Sequence, residues 1–226
     1  VLPCLLLISS SVIVVAPWTV RNWRVHGAFV PVTTQMGLGL WGGNNPEADG
    51  EWMDDFLDRQ PIPTELSEVE RSRYQTRQAL SFMVENPLDV AVLAIKKFGL
   101  FWGIKMDGVY RWSGGLPPGT SLVVSTIGQI SMVALFMLGM LLTYPWTVHT
   151  RAALVVTLYL LLVTMVFYYH TRYRLLLYPL WAPFVAYAIN RILSRRLRWE
   201  TFPISPRWVI GLSALLLGNW LWTVWR

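Results

Sequence analysis

Hydrophobic residues run without a charge through residues 1–20, 122–142, 152–167, 175–189 and 208–225. At about 1.5 Å of rise per residue, runs of this length approach the thickness of a bilayer core. The pattern therefore predicts about five transmembrane helices. The stretch between the first two runs reads differently. Phe29 to Thr34 alternates aromatic and β-branched residues, and Gly37, Gly39, Gly42 and Gly43 then break the pattern before NNPEADGE, which suggests a structured loop with tight turns. Ser67 and Glu70 have capping-box spacing, so a helix is predicted to run to about Glu85 with Leu66, Val69, Leu80 and Met83 turned inward. Asn86-Pro87 opens another helix to about Trp102. Its central Lys96 and Lys97 suit a helix lying along the membrane surface better than one crossing it.

The expected fold is an all-α polytopic membrane protein with one interfacial helix and one structured extracytoplasmic loop region. It divides into a transmembrane helix over 1–20, an extracytoplasmic loop with amphipathic and interfacial helices over 21–120, and a C-terminal transmembrane bundle over 121–226.

Composition agrees. With 54% hydrophobic residues and 14% charged, and a mean hydropathy of +0.42, the chain is too apolar for a soluble domain of its size. Thirteen Trp and nine Tyr fit interfacial aromatic belts. The net charge of +6 is uneven, with most acids between Glu47 and Glu85 and a basic second half, a pattern of membrane orientation and not of nucleic-acid binding. Arg191, Arg195, Arg196, Arg198 and Arg207 mark a cytoplasmic side, which places His170 to Arg174 outside. Cys4 is the lone cysteine, so neither a disulfide framework nor a thiolate metal site is expected. The chain opens on Val1 within an apolar run and lacks a basic leader, so it reads as a fragment beginning within or just before a transmembrane helix.

Candidate chemistry is confined to a few places. Glu47, Asp49, Glu51, Asp54, Asp55 and Asp58 form an acidic loop, but their spacing misses the alternation of a calcium loop, so no metal is expected. Motifs of nucleotide binding and of soluble hydrolases are absent, and no cofactor is expected. The stretch YYHTRYRLLLYPLWAP places Arg172 and Arg174 between two apolar runs. Guanidinium groups at an interface can hold a lipid phosphate bidentately, or can simply anchor helix ends. Tyr173 and His170 would add hydrogen bonds. Arg21 and Arg24 are the next candidates, followed by Lys97 and Lys105. Asn44 and Asn45 suit either a turn closed by its own amides or contact with sugar hydroxyls.

Three segments also resemble a known family. PWTVRNWRVHGAFVPVTTQMGLGLWGGNNPEADG is similar to a segment of bacterial integral-membrane glycosyltransferases of the GT-C fold, such as protein mannosyltransferases and the lipid A aminoarabinose transferase (family 39-like). SEVERSRYQTRQALSFMVENPLDVAVLAIKKFGLFW resembles that family's loop helix and the lysine-bearing helix after it. HTRYRLLLYPLWAPF resembles its late arginine turn and span, with Leu176 where a proline is common. The resemblance implies the C-terminal half of an inner-membrane enzyme that moves a sugar from a polyprenyl-phosphate donor to a glycan, lipid or protein acceptor on the outer face. It also implies that the catalytic carboxylate lies in an earlier loop, so no acid here inherits that role and the chain alone should be inactive. A non-catalytic polyprenyl-lipid binder or flippase-like protein is the alternative.

Overall fold

A computed structural model describes residues 2–52, 62–63, 65–103, 118–194 and 206–225. These form the helices α1 (Leu2–His26), α2 (Met36–Gly43), α3 (Glu68–Glu85), α4 (Pro87–Trp102), α5 (Pro118–Leu142), α6 (Val148–Val166), α7 (Thr171–Leu175), α8 (Tyr178–Leu193) and α9 (Pro206–Trp225). Extended pairing among the described residues is limited to one isolated bridge, between Glu51 and Tyr169. The regular elements among the described residues are all helices, and α1, α5 and α6 are long and apolar enough to cross a membrane. The two remaining apolar runs are also helical, as α8 and α9. At 16 residues, α8 spans about 24 Å.

The chain divides into two compact units, Val1–Ala48 with Met53–Val90, and Asp49–Trp52 with Ala91–Arg226. In the first, α1 runs past the expected end of its apolar stretch to His26, so Arg21 and Arg24 belong to its last turns. Those turns hold the 30–32 segment by its carbonyls. Asn22 Nδ2 donates to Val30 and Val32 (both 3.2 Å), Thr19 to Pro31 (2.8 Å) and Trp18 Nε1 to Val32 (2.8 Å). The alternating residues consequently form a clamped loop.

The capping box forms as expected: Ser67 N donates to Glu70 Oε2 (2.9 Å) and Ser67 Oγ accepts from Glu70 N (3.4 Å). The inward stripe of α3 is different from the one predicted. Gln75, Ala79 and Phe82 are buried, whereas Leu80 is 50% exposed. Packing against α2 sets this register, because a Cβ on Gly37 would collide with the Ser72 backbone.

The second unit is built around Trp181, which is fully buried. Its ring stacks on Phe136 (4.4 Å between centroids) and Trp102 (5.9 Å), while its Nε1 donates to Thr157 Oγ1 (3.0 Å). Helix α6 lines this core with Thr150, Ala153, Thr157, Leu161 and Thr164. Thr157 and Thr164 donate to carbonyls one turn back, which satisfies hydroxyls that an apolar interior would otherwise penalise. Helix α9 closes on α4 at two glycines, where a Cβ on Gly99 would lie 2.8 Å from Trp222 and one on Gly103 2.6 Å from Thr223.

Helices α5 and α8 meet at Gly139, where a Cβ would run into the Phe184 backbone. Backbone cannot swing aside as a side-chain tip can. Gly139→Ala is therefore expected to destabilise the bundle by about 1–3 kcal/mol, read as a lowered thermal midpoint. An unchanged midpoint would show that the two helices are not in this contact.

Candidate functional site

The site lies in the second unit, where the chain leaves α6. Residues 168–170 run extended beside 49–52, with Tyr169 N donating to Gly50 O (2.8 Å). Gly50 has φ 103° and lies so close to α4 that an added Cβ would be 3.3 Å from Leu100 and 3.4 Å from Lys97. The positive φ favours glycine there, and the close approach leaves little room for a side chain. Asp49 Oδ1 accepts from Glu51 N (3.0 Å), which tightens the same turn. Trp52 then stands against Tyr168, with ring centroids 4.8 Å apart. His170 caps α7, its Nδ1 accepting from Arg172 N at 3.4 Å.

Within α7 the two arginines part company. Residues two apart on a helix point about 200° from one another, so a phosphate cannot sit between Arg172 and Arg174 on one face. Arg174 turns inward and is fully buried. Its guanidinium donates to the carbonyls of Phe101 (3.1 Å) and Gly103; with the Gln129 amide turned to the orientation that satisfies both of its ends, the amide oxygen also accepts from Nε at 2.9 Å. It also faces the Tyr169 ring at 5.8 Å. The expectation of a paired phosphate rim is revised accordingly: Arg174 is a cap on the C-terminal end of α4.

That end is closed throughout. Asn219 Nδ2 donates to Gly99 O (2.9 Å), Gly103 N to Leu100 O (3.1 Å) and Trp220 Nε1 to Trp102 O (3.0 Å). The last carbonyls of a helix are orphans, and each is partnered here. Lys97 does the converse for α6. It too is fully buried, and its Nζ donates to Met165 O (3.3 Å) in the last turn. A cation from each side thus meets the negative end of the other side's helix, which helix dipoles favour.

Arg172 turns outward and is exposed. Its Nη2 donates to Tyr168 Oη (2.9 Å) and its guanidinium lies over the Tyr173 ring at 5.6 Å. The His170 and Tyr173 rings are 6.4 Å apart, and those of Tyr168 and Tyr173 5.8 Å. Arg172 is thereby a cation in a fixed orientation with donors left over, set among two phenols and an imidazole. Burial, joined by the Tyr168 hydroxyl, pushes the Tyr173 phenol up to about 12 even though Arg172 opposes it. Tyr173 therefore stays a neutral hydrogen-bond donor at physiological pH. A raised phenol favours the folded state below about pH 10, and that contribution is lost between about 10 and 12. A phenolate absorbance transition near 12 that disappears in Tyr173→Phe is expected; its absence from the wild type would place the phenol in water.

Other candidates fall elsewhere. Arg21 and Arg24 are exposed in the first unit, where Arg21 lies 4.9 Å over the Trp18 ring and donates to Asn22 Oδ1 (3.3 Å). Asn44 and Asn45 are buried, and their amides donate to the end of α2, at Leu40 O (2.9 Å), Trp41 O (2.9 Å) and Gly42 O (3.2 Å). This is the geometry of the turn reading. Lys105 lies outside the described residues, as do Asp54, Asp55 and Asp58. Among the described residues no cluster of metal-ligating side chains forms.

Sequence reasoning passed over Tyr168 and Gln129. Tyr168 stands beside the arginine turn, four residues before Arg172. Gln129 was detectable as a lone amide inside an otherwise apolar run, since such a group must face a partner within the bundle. No protein-family model matches the chain, and no curated protein or solved structure matches it either.

Proposed function

We propose that this chain is part of a membrane glycosyltransferase that moves a sugar from a polyprenyl-phosphate carrier to an acceptor. The observation that supports the reading is Arg172, an exposed guanidinium fixed by Tyr168 and Tyr173 at the break between the apolar helices α6 and α8. When a glycosidic bond to phosphate breaks, the leaving phosphate gains charge. A cation already oriented toward it stabilises the transition state more than the ground state. His170 and Tyr173 stand beside that position as hydrogen-bonding groups.

In this reading α1, α5, α6, α8 and α9 make five spans of a bacterial inner membrane. Helix α4 lies at the interface, and Arg172 faces the extracytoplasmic side, where the acceptor is met. The donor's phosphate contacts Arg172, and its isoprenoid lies among the apolar helices. The base that activates the acceptor comes from outside this chain, as in the family its three segments resemble.

Membranes carrying the whole protein, supplied with a labelled polyprenyl-phosphate sugar, test this. Transfer of label to an endogenous glycan, lipid or protein is the expected result. Donor that is bound and never consumed would replace catalysis with lipid binding, and donor neither bound nor consumed would overturn both.

A further inference from the structure

Lys96 and Lys97 are neighbours with opposite fates. Lys97 is inside, on Met165 O, whereas Lys96 is half-buried and makes no hydrogen bond or ion pair with any described residue. Asp49 and Glu51 do not neutralise it, although Gly50 between them lies close enough that an added Cβ would be 3.6 Å from the Lys96 Cβ.

Lys96 lines a cavity of 460 Å³ together with Val92, Ile95, Phe98 and Gly99 of α4 and Asn219 and Trp222 of α9. Positions 92, 95, 96 and 99 form one stripe of α4, so the cavity is a groove along that helix. Asn219 is already committed to Gly99 O, and α9 contains no acid. Val92, Ile95, Phe98 and Trp222 are all substantially exposed. The groove accordingly offers apolar walls and, at Lys96, one cation without a counter-charge among the described residues.

Such a combination complements one kind of occupant, an amphiphile with an apolar chain and a negative head. We propose that the groove between α4 and α9 seats a bilayer phospholipid with an anionic headgroup, its acyl chain along Val92, Ile95 and Trp222 and its phosphate on Lys96. The volume falls within the usual range of small-ligand pockets, roughly 300–1,000 Å³. The proposal rests on the chain being inserted in a membrane, and it does not depend on sugar transfer.

The test uses the whole protein in nanodiscs of phosphatidylcholine with a minority of phosphatidylglycerol, with retained lipid identified by native mass spectrometry. The wild type should retain phosphatidylglycerol about fivefold over its share of the bilayer, the worth of one lysine at an anionic interface. Lys96→Gln should lose the preference, and Lys96→Arg should keep it. Ile95→Trp, which fills the groove and leaves the lysine in place, should lose it as well. Equal retention of both lipids by the wild type would overturn the proposal, as would a preference that survives Lys96→Gln or Ile95→Trp. Displacement of phosphatidylglycerol by added polyprenyl phosphate at equal concentration would also overturn it, making the groove a carrier site.

Discussion

Arg174→Ala should leave the second unit unable to hold its fold. The substitution removes the donors that serve Phe101 O and Gly103 O at the buried C-terminal end of α4 and the Gln129 amide on α5. A buried acceptor stripped of its donor costs about 1–3 kcal/mol, so loss of the two carbonyl bonds alone amounts to about 2–6 kcal/mol. That is a large fraction of the net stability of any domain. The expected observation is a protein that melts far below the wild type in detergent or is recovered only as aggregate. Arg174→Lys keeps the charge without the planar fork that reaches two carbonyls and an amide together, so an intermediate midpoint is expected. A wild-type midpoint for Arg174→Ala would mean that α4 ends in some other environment.

Arg172→Ala, two residues earlier, should behave in the opposite way. The side chain is exposed and its bond to the buried Tyr168 is part-buried, so the thermal midpoint should move by no more than about 1 kcal/mol's worth of stability. In the whole protein, sugar transfer should fall by about 10²–10³, the loss seen when one preorganised donor to a developing negative charge is removed. Arg172→Lys should recover only part of the rate, since an ammonium supplies charge but cannot donate in parallel to a phosphate. Full activity in Arg172→Ala, with the protein folded, would remove this residue from the mechanism.

These opposed expectations show what the sequence could and could not convey. The helix boundaries around Ser67, Glu85, Asn86 and Pro87 are legible because caps and N1 prolines act locally. The arginine turn was legible as an interruption between apolar runs. Which arginine is buried was not, because the acceptors of Arg174 lie on α4 and α5, far away in the chain. The doubled lysine posed the same difficulty: a helix must send 96 and 97 to different faces, but only packing decides which face is the inside. The register of α3 differs from the one its hydrophobic residues predict for a related reason. Leu80 is more hydrophobic than Gln75 or Ala79, yet α2 approaches through Gly37 and rewards small residues on its own side. Leu176 stands where the sequence resemblance expects a proline, and its geometry bears on that position. Its φ of −61° would suit proline, but its N–H donates to Arg172 O (3.3 Å), a bond proline would forfeit.

The central claim is that Arg172 recognises the phosphate of a polyprenyl carrier, and comparison of polyprenyl phosphate with the matching polyprenol tests it most directly. The two differ only in the anion, so apolar contacts cancel. With the whole protein in nanodiscs, the wild type should bind the phosphate at least about tenfold more tightly than the alcohol, and Arg172→Ala should bind both alike. A phosphate preference that persists in Arg172→Ala would contradict the account and move the phosphate to another cation.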